Sequence, residues 1–281
     1  MTSSSRLGGT TRLQAFFIHV LLVVGAAFII TPFLWMLLTS LKSAADIARV
    51  PPRFFPSPVR WDNFVSVLTI QQFPRYILNS FFISFLSMVS VLVTSMLGGY
   101  AFAKYEFPLK GFFFALILAT AIVPFEVYMV SVYRTIGALK LFNSYGGVIF
   151  PILIMSFGVF FIRQCSLSIP DELLDAARID GGSELWILVR IGIPLNLTSL
   201  FALGIFAFSE AWAFFIWPLI IVNSRSLFTI ELGLMMFQKK FYMEHGPIAA
   251  GAVISIVPMI IVFLSLRRRF MQSITLSGMK S

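Results

Sequence analysis

The sequence is poor in the residues from which most enzyme sites are built. Among 281 residues there is one cysteine, Cys165, and two histidines, His19 and His245. A single cysteine excludes a disulfide framework, and two distant histidines cannot supply a typical structural zinc site. Cys165 has no base near it in sequence, so it reads as an inert helix-end residue. A membrane-embedded enzyme needs a matched nucleophile and base or an acidic cluster, and neither is present. No Gly-x-x-x-x-Gly-Lys-Ser/Thr loop occurs, so the chain has no phosphate cradle of its own for ATP. Charge is scarce as well. Asp, Glu, Lys and Arg make up 12% of the chain, against about a quarter in soluble domains.

What the chain has instead is apolar length. Hydrophobic residues are 58% of the total, and the mean hydropathy is +0.92. A formal charge of +9 raises the question of nucleic acid. The basic residues are scattered between apolar runs, however, and the cluster Arg267-Arg268-Arg269 directly follows one. Such a cluster flanks a membrane span rather than forming a nucleic-acid face.

A spanning helix needs about 20 mostly apolar residues. The 29 residues between Arg12 and Lys42 and the 28 between Arg75 and Lys104 carry no Asp, Glu, Lys or Arg. From Phe112 to Tyr133 only Glu126 interrupts, and from Ser199 to Val222 only Glu210. Two further runs of 22 residues lie between Lys140 and Arg163 and between Glu244 and Arg267. Six spans are predicted, at 13–41, 80–103, 111–133, 146–165, 199–222 and 248–266. The outer loop 42–79 separates the first from a core of 80–281, and 166–198 joins the fourth to the fifth. Gly25-Ala26-Ala27 loosely resembles a signal cleavage site, but the apolar run continues to Leu41, so an uncleaved helix is expected.

Charge only weakly orients this array. With residues 1–12 and the C-terminus in the cytoplasm, eleven of the 21 basic residues lie inside. Five of the others sit in the long 42–79 loop, where they count for less, and the triple arginine votes for inside.

The 166–198 segment then faces the cytoplasm. It opens "SLSIPDELLDAARIDGGSELW". Pro170 suits a first helical turn, and Asp171 and Glu172 complement the positive end of the helix dipole. Leu173, Leu174 and Ala177 share a face at helical spacing. Gly181-Gly182 permits the positive φ that ends a helix, and Ser183 can cap the next. Trp186, Val189 and Ile193 give that second helix an apolar stripe, and Pro194 limits it. Two short amphipathic helices joined by a glycine turn fit a surface hairpin lying on the bilayer. They equally fit a plug for a partner's groove, because Ala176 and Ala177 allow close approach and Asp180 can accept hydrogen bonds at the turn.

"ELLDAARIDGGSELWILVRIGIPL" resembles the coupling-loop signature, the EAA motif, of ATP-binding-cassette (ABC) importer permeases. Asp175, Ala176, Ala177, Asp180, Gly181, Gly182, Ile191, Ile193 and Pro194 occupy the matching positions. Asp175 stands for the usual glutamate, Gly182 for alanine, Leu188 for phenylalanine and Thr198 for a later proline. "NSFFISFLSMVSVLVTSMLGGYAFAKYEFPLKG", "ATAIVPFEVYMVSVY", "FIWPLIIVNS" and the terminal "LSGMK" are similar to the maltose-type, carbohydrate-uptake subclass, so the resemblance runs over about residues 10–281. It implies an all-α permease fold of the type I importer class in a bacterial plasma membrane, with both termini cytoplasmic. It implies a second, homologous permease forming a heterodimer, and a cytoplasmic ATPase dimer that holds ATP and Mg and grips the 170–194 loop. It also implies an external solute-binding protein delivering a sugar or sugar-like solute. A self-sufficient secondary transporter is the rival class, but no inverted repeat is evident.

Glu126 and Glu210 are ionisable residues predicted inside the membrane, where a charge usually faces a cavity or a partner. Pro124 loosens the helix before Glu126. Tyr128 lies close by, and Trp212 and Trp217 follow Glu210. Carboxylates and aromatic faces suit a sugar path. Equally, Glu126 can cap a broken helix and the tryptophans can anchor an interface. The outer loops, "VPPRFFPSPVRWDNF" within 42–79 and residues 223–247 with Arg225, Lys239 and Lys240, offer basic surface to an acidic solute or to the binding protein.

Overall fold

The computed structural model describes residues 12–70, 72–237 and 245–277. The N-terminal 1–11, Lys239, Lys240 and the close of the "LSGMK" stretch lie outside them. Fifteen α-helices are named here in chain order. The first six are α1 (Arg12–Ser40), α2 (Ala44–Ile47), α3 (Asp62–Ile70), α4 (Phe73–Lys104), α5 (Lys110–Ile122) and α6 (Phe125–Ala138). Then come α7 (Tyr145–Ile149), α8 (Ser156–Ser166), α9 (Asp171–Ile179), α10 (Glu184–Ile187) and α11 (Ile193–Leu195). The last four are α12 (Leu197–Trp212), α13 (Ile216–Ile221), α14 (Ile230–Met235) and α15 (His245–Ser277). No strand occurs among the described residues.

Contacts divide the chain into two compact units, residues 1–69 with 237–254, and residues 70–236 with 255–281. In the first unit α1 is apolar on every side and none of its hydrophobic window is buried within the chain, the pattern of a helix whose surroundings are themselves apolar. Its C-terminal end is tied down by Asn63 on α3, whose side-chain amide donates to the carbonyls of Ser40 (2.8 Å) and Lys42 (3.0 Å). Lys42 buries its ammonium over the Trp35 ring at 4.3 Å and donates to the Arg53 carbonyl at 2.6 Å.

In the second unit α4 is the central element. Pro74 sits in its first turn, where the missing N–H costs nothing, and the helix runs to Lys104. It packs on α8 and α12 through small residues. A Cβ at Gly99 would stand 2.8 Å from the Val159 carbonyl oxygen and the Arg163 amide nitrogen, and one at Gly158 would collide with the Ser95 hydroxyl. Such close backbone approach is the usual way helices associate in lipid, where no hydrophobic drive between them exists.

Three helical stretches are long and apolar enough to cross a membrane, Leu13–Ser40, Phe73–Lys104 and His245–Ser265. Three more apolar stretches are bent pairs. Lys110–Ile122 and Phe125–Ala138 meet at 102°, Tyr145–Ile152 and Ser156–Ser166 at 48°, and Glu184–Leu195 and Leu197–Trp212 at 76°. The stretch read as one span over 111–133 is therefore broken at Val123–Pro124, because proline has no N–H to continue the ladder. The stretch 199–222 likewise stops at Trp212 and resumes at Ile216. At the 153–155 break the freed Leu153 carbonyl accepts hydrogen bonds from Ser90 (2.8 Å) and Thr94 (3.3 Å) of α4. Hydroxyls of a neighbouring helix thus satisfy backbone that bilayer hydrocarbon cannot.

At one end of this unit, Trp217 is fully buried among Ile83, Ile136, Val148 and Leu232. Its indole N–H donates to the Gly147 carbonyl at 2.9 Å. It is a core residue, where the sequence also allowed an interface anchor.

Candidate functional site

The 170–194 segment is built as two helical arms around a turn. Pro170 is the N-cap of α9, and Asp171 and Glu172 fill the first turn. Leu174 and Ala177 are buried. Leu173, expected on the same face, is 45% exposed, because its 100° offset from Leu174 turns it toward solvent. The helix ends in a Schellman motif. Gly181 adopts φ +84°, its N–H donates to the Arg178 carbonyl (3.0 Å), and the Gly182 N–H donates to the Ala177 carbonyl (2.9 Å). A Cβ at Gly182 would stand 2.8 Å from the Ala177 oxygen, so the turn closes more tightly here than an alanine would allow without a shift. Ser183 then caps α10 by accepting from the Trp186 N–H at 3.3 Å.

The second arm does not continue as a regular α-helix. Residues Leu188–Gly192 form a π-turn ahead of Pro194, which cannot donate to the Arg190 carbonyl and so forces the ladder to widen. Gly192 lies against the Tyr100 ring, where a Cβ would be 2.9 Å from Cε2. The buried Asn196 side chain donates to the Gly192 carbonyl at 2.9 Å and pins the 76° bend into α12.

Around the turn, Ala176, Ala177, Asp180, Gly181 and Gly182 line an open concavity of about 590 Å³ with Trp186. Asp175 lies off it and pairs with Arg178 (2.7 Å), and Pro194 acts through the backbone of the second arm. Ile179 and Leu185 are 86% and 68% exposed beside the turn, so the segment presents apolar surface without a partner in this chain.

A charged network ties both arms to the end of α4. The Lys104 ammonium, 3% exposed, donates to the Ile169 carbonyl (2.5 Å) and to Asp171 (2.7 Å). The Tyr105 hydroxyl donates to Glu184 at 2.7 Å, and Arg178 donates to the same carboxylate from Nε at 2.8 Å and from Nη2 at 3.3 Å. The Lys104 hydrogen bond holds the Asp171 carboxyl below its usual range. Hydrogen bonds from Arg178 and then Tyr105 lower that of Glu184. Burial, then the bond to Glu184, pushes the Tyr105 phenol up to about 12. The Glu184 and Asp175 carboxylates hold Arg178 firmly protonated. Sequence reading missed Lys104, Tyr105 and Glu184. Only the three-residue spacing of Asp175 and Arg178 carried a local signal.

Of the residues expected along a solute path, the structure brings two together. Tyr128 and Glu210 line a cavity of about 310 Å³ with Thr120, Ser156 and Phe214, formed where the 123–124 and 153–155 breaks face each other. Thr120 and Ser156 share a hydrogen bond of 2.7 Å at its wall. Glu126 is exposed elsewhere on α6. Trp212 is 6% exposed and stacks on Phe208 at 5.7 Å, a packing role set by its place on the α4-facing side of α12.

Residues 80–275 match the family described as the binding-protein-dependent transport system inner membrane component. The chain belongs to that family. It is 36% identical to the arabinooligosaccharides transport system permease protein AraQ of Halalkalibacterium halodurans, over 92% of this chain and 96% of that protein. It is 29% identical to the sn-glycerol-3-phosphate transport system permease protein UgpE of Yersinia pestis, over 92% and 95%. A solved bacterial ABC transporter involved in import of the acidic polysaccharide alginate shares the fold, with a TM-score of 0.80 at 21% identity over 96% of this chain and all of that one. A second alginate transporter structure, in complex with a pentasaccharide-bound periplasmic protein, aligns with a TM-score of 0.60 at 14% identity over 90% of this chain and 92% of that one. This inner membrane component is therefore a transport permease of a binding-protein-dependent system and not an enzyme, and its match begins at residue 80, within α4.

Proposed function

We propose that this chain is one of two homologous permeases in an ATP-driven importer of a sugar or sugar-like solute. It crosses the bilayer six times, with the bent pairs 110–138 and 145–166 each serving as one span, the fifth span beginning at α12 after the 170–194 arms, and both termini in the cytoplasm. An external binding protein delivers the solute. The 170–194 arms seat in a groove of a cytoplasmic ATPase dimer, which holds ATP and Mg, and closure of that dimer rocks the spans. Tyr128 and Glu210 contribute to the solute path at the cavity between the broken helices. Broken backbone in a membrane is tolerated where it lines a polar cavity, and a carboxylate beside an aromatic face suits a polyol.

The observation that carries this reading is the glycine-closed turn with unpartnered Ile179 and Leu185 beside it. A helix end that presents apolar side chains and a rigid turn is made to be gripped. The test is co-purification of the tagged chain in mild detergent, followed by ATPase and proteoliposome uptake assays. A second permease and an ATPase, stimulated by a binding protein with one solute, are expected. Recovery of this chain alone, transporting without ATP, would overturn the proposal in favour of a secondary carrier.

A further inference from the structure

The two arms of the coupling segment are continuous with α8 on one side and α12 on the other, yet neither connection is a straight rod. Residues 167–170 form a non-helical link from α8, and the π-turn and the 76° bend at Asn196 lie between α10 and α12. A force applied at Gly181 along either route meets a compliant joint. The third route is not covalent and is shorter. Lys104 closes α4 and grips the start of α9 through Asp171 and the Ile169 carbonyl, and Tyr105, the next residue, grips the start of α10 through Glu184. Arg178 cross-braces the arms by binding Glu184 and Asp175 together. Lys104 is nearly fully buried, so parting it from Asp171 and Ile169 would strand a desolvated charge. The contact therefore resists separation when loaded. α4 in turn packs along both α8 and α12 and supplies the Ser90 and Thr94 hydroxyls that hold the broken backbone at Leu153, beside the cavity.

We propose that Lys104 and Tyr105 are positioning residues that clamp both arms of the coupling segment to α4, so that a pull from the ATPase reaches the centre of the bundle as a rigid displacement. This rests on the coupling role assigned to the segment above. Without the clamp, the ATPase still docks and hydrolyses, but the arms give way and transport per ATP falls.

The test compares solute uptake with ATP hydrolysis in the same proteoliposomes, using the full complex. Tyr105→Phe removes one hydroxyl and keeps the ring, and Lys104→Met keeps the length and removes the charge. Each is expected to lower solute moved per ATP by about fivefold or more, the usual floor for coupling between sites. ATPase co-purification and hydrolysis rate should stay near wild type. Lys104→Arg, which retains a charged donor, should restore the ratio. An unchanged ratio in both variants overturns the clamp, as does a fall of uptake and hydrolysis in equal proportion, which marks a role in docking or folding. Asp180→Arg, at the turn itself, separates the two ideas. If it leaves uptake normal, the coupling role itself fails. If it abolishes uptake while Tyr105→Phe and Lys104→Met leave the ratio intact, only the clamp fails.

Discussion

Replacing Gly181 by alanine isolates what the turn contributes, because the site is open. No atom lies within 4 Å of a Cβ built there, so the substitution causes no collision and acts only through the backbone. The residue stands at φ +84°, a region that costs an L-residue about 1–2 kcal/mol. That corresponds to about 5–30-fold in the ratio of closed to open turn. The direct reporters are the amides of residues 181 and 182, which donate to the Arg178 and Ala177 carbonyls. Hydrogen exchange of the complex in lipid nanodiscs should show these amides exchanging about 5–30-fold faster in Gly181→Ala. Gly181→Asn should recover most of the protection, since asparagine enters the left-handed region more easily. Gly182→Ala is the contrast, because its Cβ meets the Ala177 oxygen and it acts by collision. Unchanged exchange in Gly181→Ala would refute the assignment of a strained, glycine-dependent turn. So would equal deprotection in the alanine and asparagine variants.

Trp217→Phe should lower thermal stability by about 1–3 kcal/mol, because the buried Gly147 carbonyl loses its indole donor; a melting curve in detergent checks this. Glu210→Gln should change the apparent affinity for solute in uptake assays while Glu126→Gln leaves it unaltered, since only Glu210 lines the cavity. The clamp should be insensitive to pH across the neutral range. Asp171 and Glu184 have lowered carboxyls, so their contribution is present above the unfolded carboxylate range and is lost as pH falls through their lower folded values. Tyr105 is raised to about 12, so its contribution is present below the ordinary phenol value and is lost only as pH rises through about 12. Uptake per ATP measured from about pH 6 to 9 should therefore be flat, and a sigmoidal change in that window would contradict the network.

The caps and the glycine turn of the 170–194 segment were legible because their signals are local, whereas the exposure of Leu173 and the π-turn at Leu188–Gly192 were not. A proline before acidic residues, a glycine pair at the helix end and a serine cap all act within one turn, and all appear where the spacing predicts them. The clamp was not legible, because its partners lie 67 and 79 residues apart and nothing near Lys104 or Tyr105 marks them as other than a basic membrane flank. Trp212 and Glu126 show the limit from the other side. Their residue types suit a sugar path, but the facing of a side chain on an apolar helix depends on which neighbour it packs against, and the apolar run carries no periodicity to reveal it. The breaks at 123–124 and 153–155 did have a signal in Pro124 and Pro151, yet hydropathy alone reads through a proline.

Those breaks explain why the cavity lies where it does. A continuous helix in lipid hides every backbone polar group from its surroundings and therefore offers a solute only side chains. At Val123–Pro124 and at Leu153–Met155 the ladders stop, and the residues flanking both stops line the cavity shared by Tyr128 and Glu210. The exposed carbonyl at Leu153 is held by two hydroxyls of α4, the same helix whose far end grips the coupling arms through Lys104. A displacement of α4 therefore moves the hydrogen-bond donors that keep the broken backbone in place. Since α4 hydrogen-bonds both the 170–194 arms and this break, pulling on the arms is expected to alter the cavity through the Leu153 carbonyl. Replacing Ser90 and Thr94 together by alanine should then weaken transport even though neither residue touches the ATPase-facing turn, and full transport by that double variant would sever the path from turn to cavity.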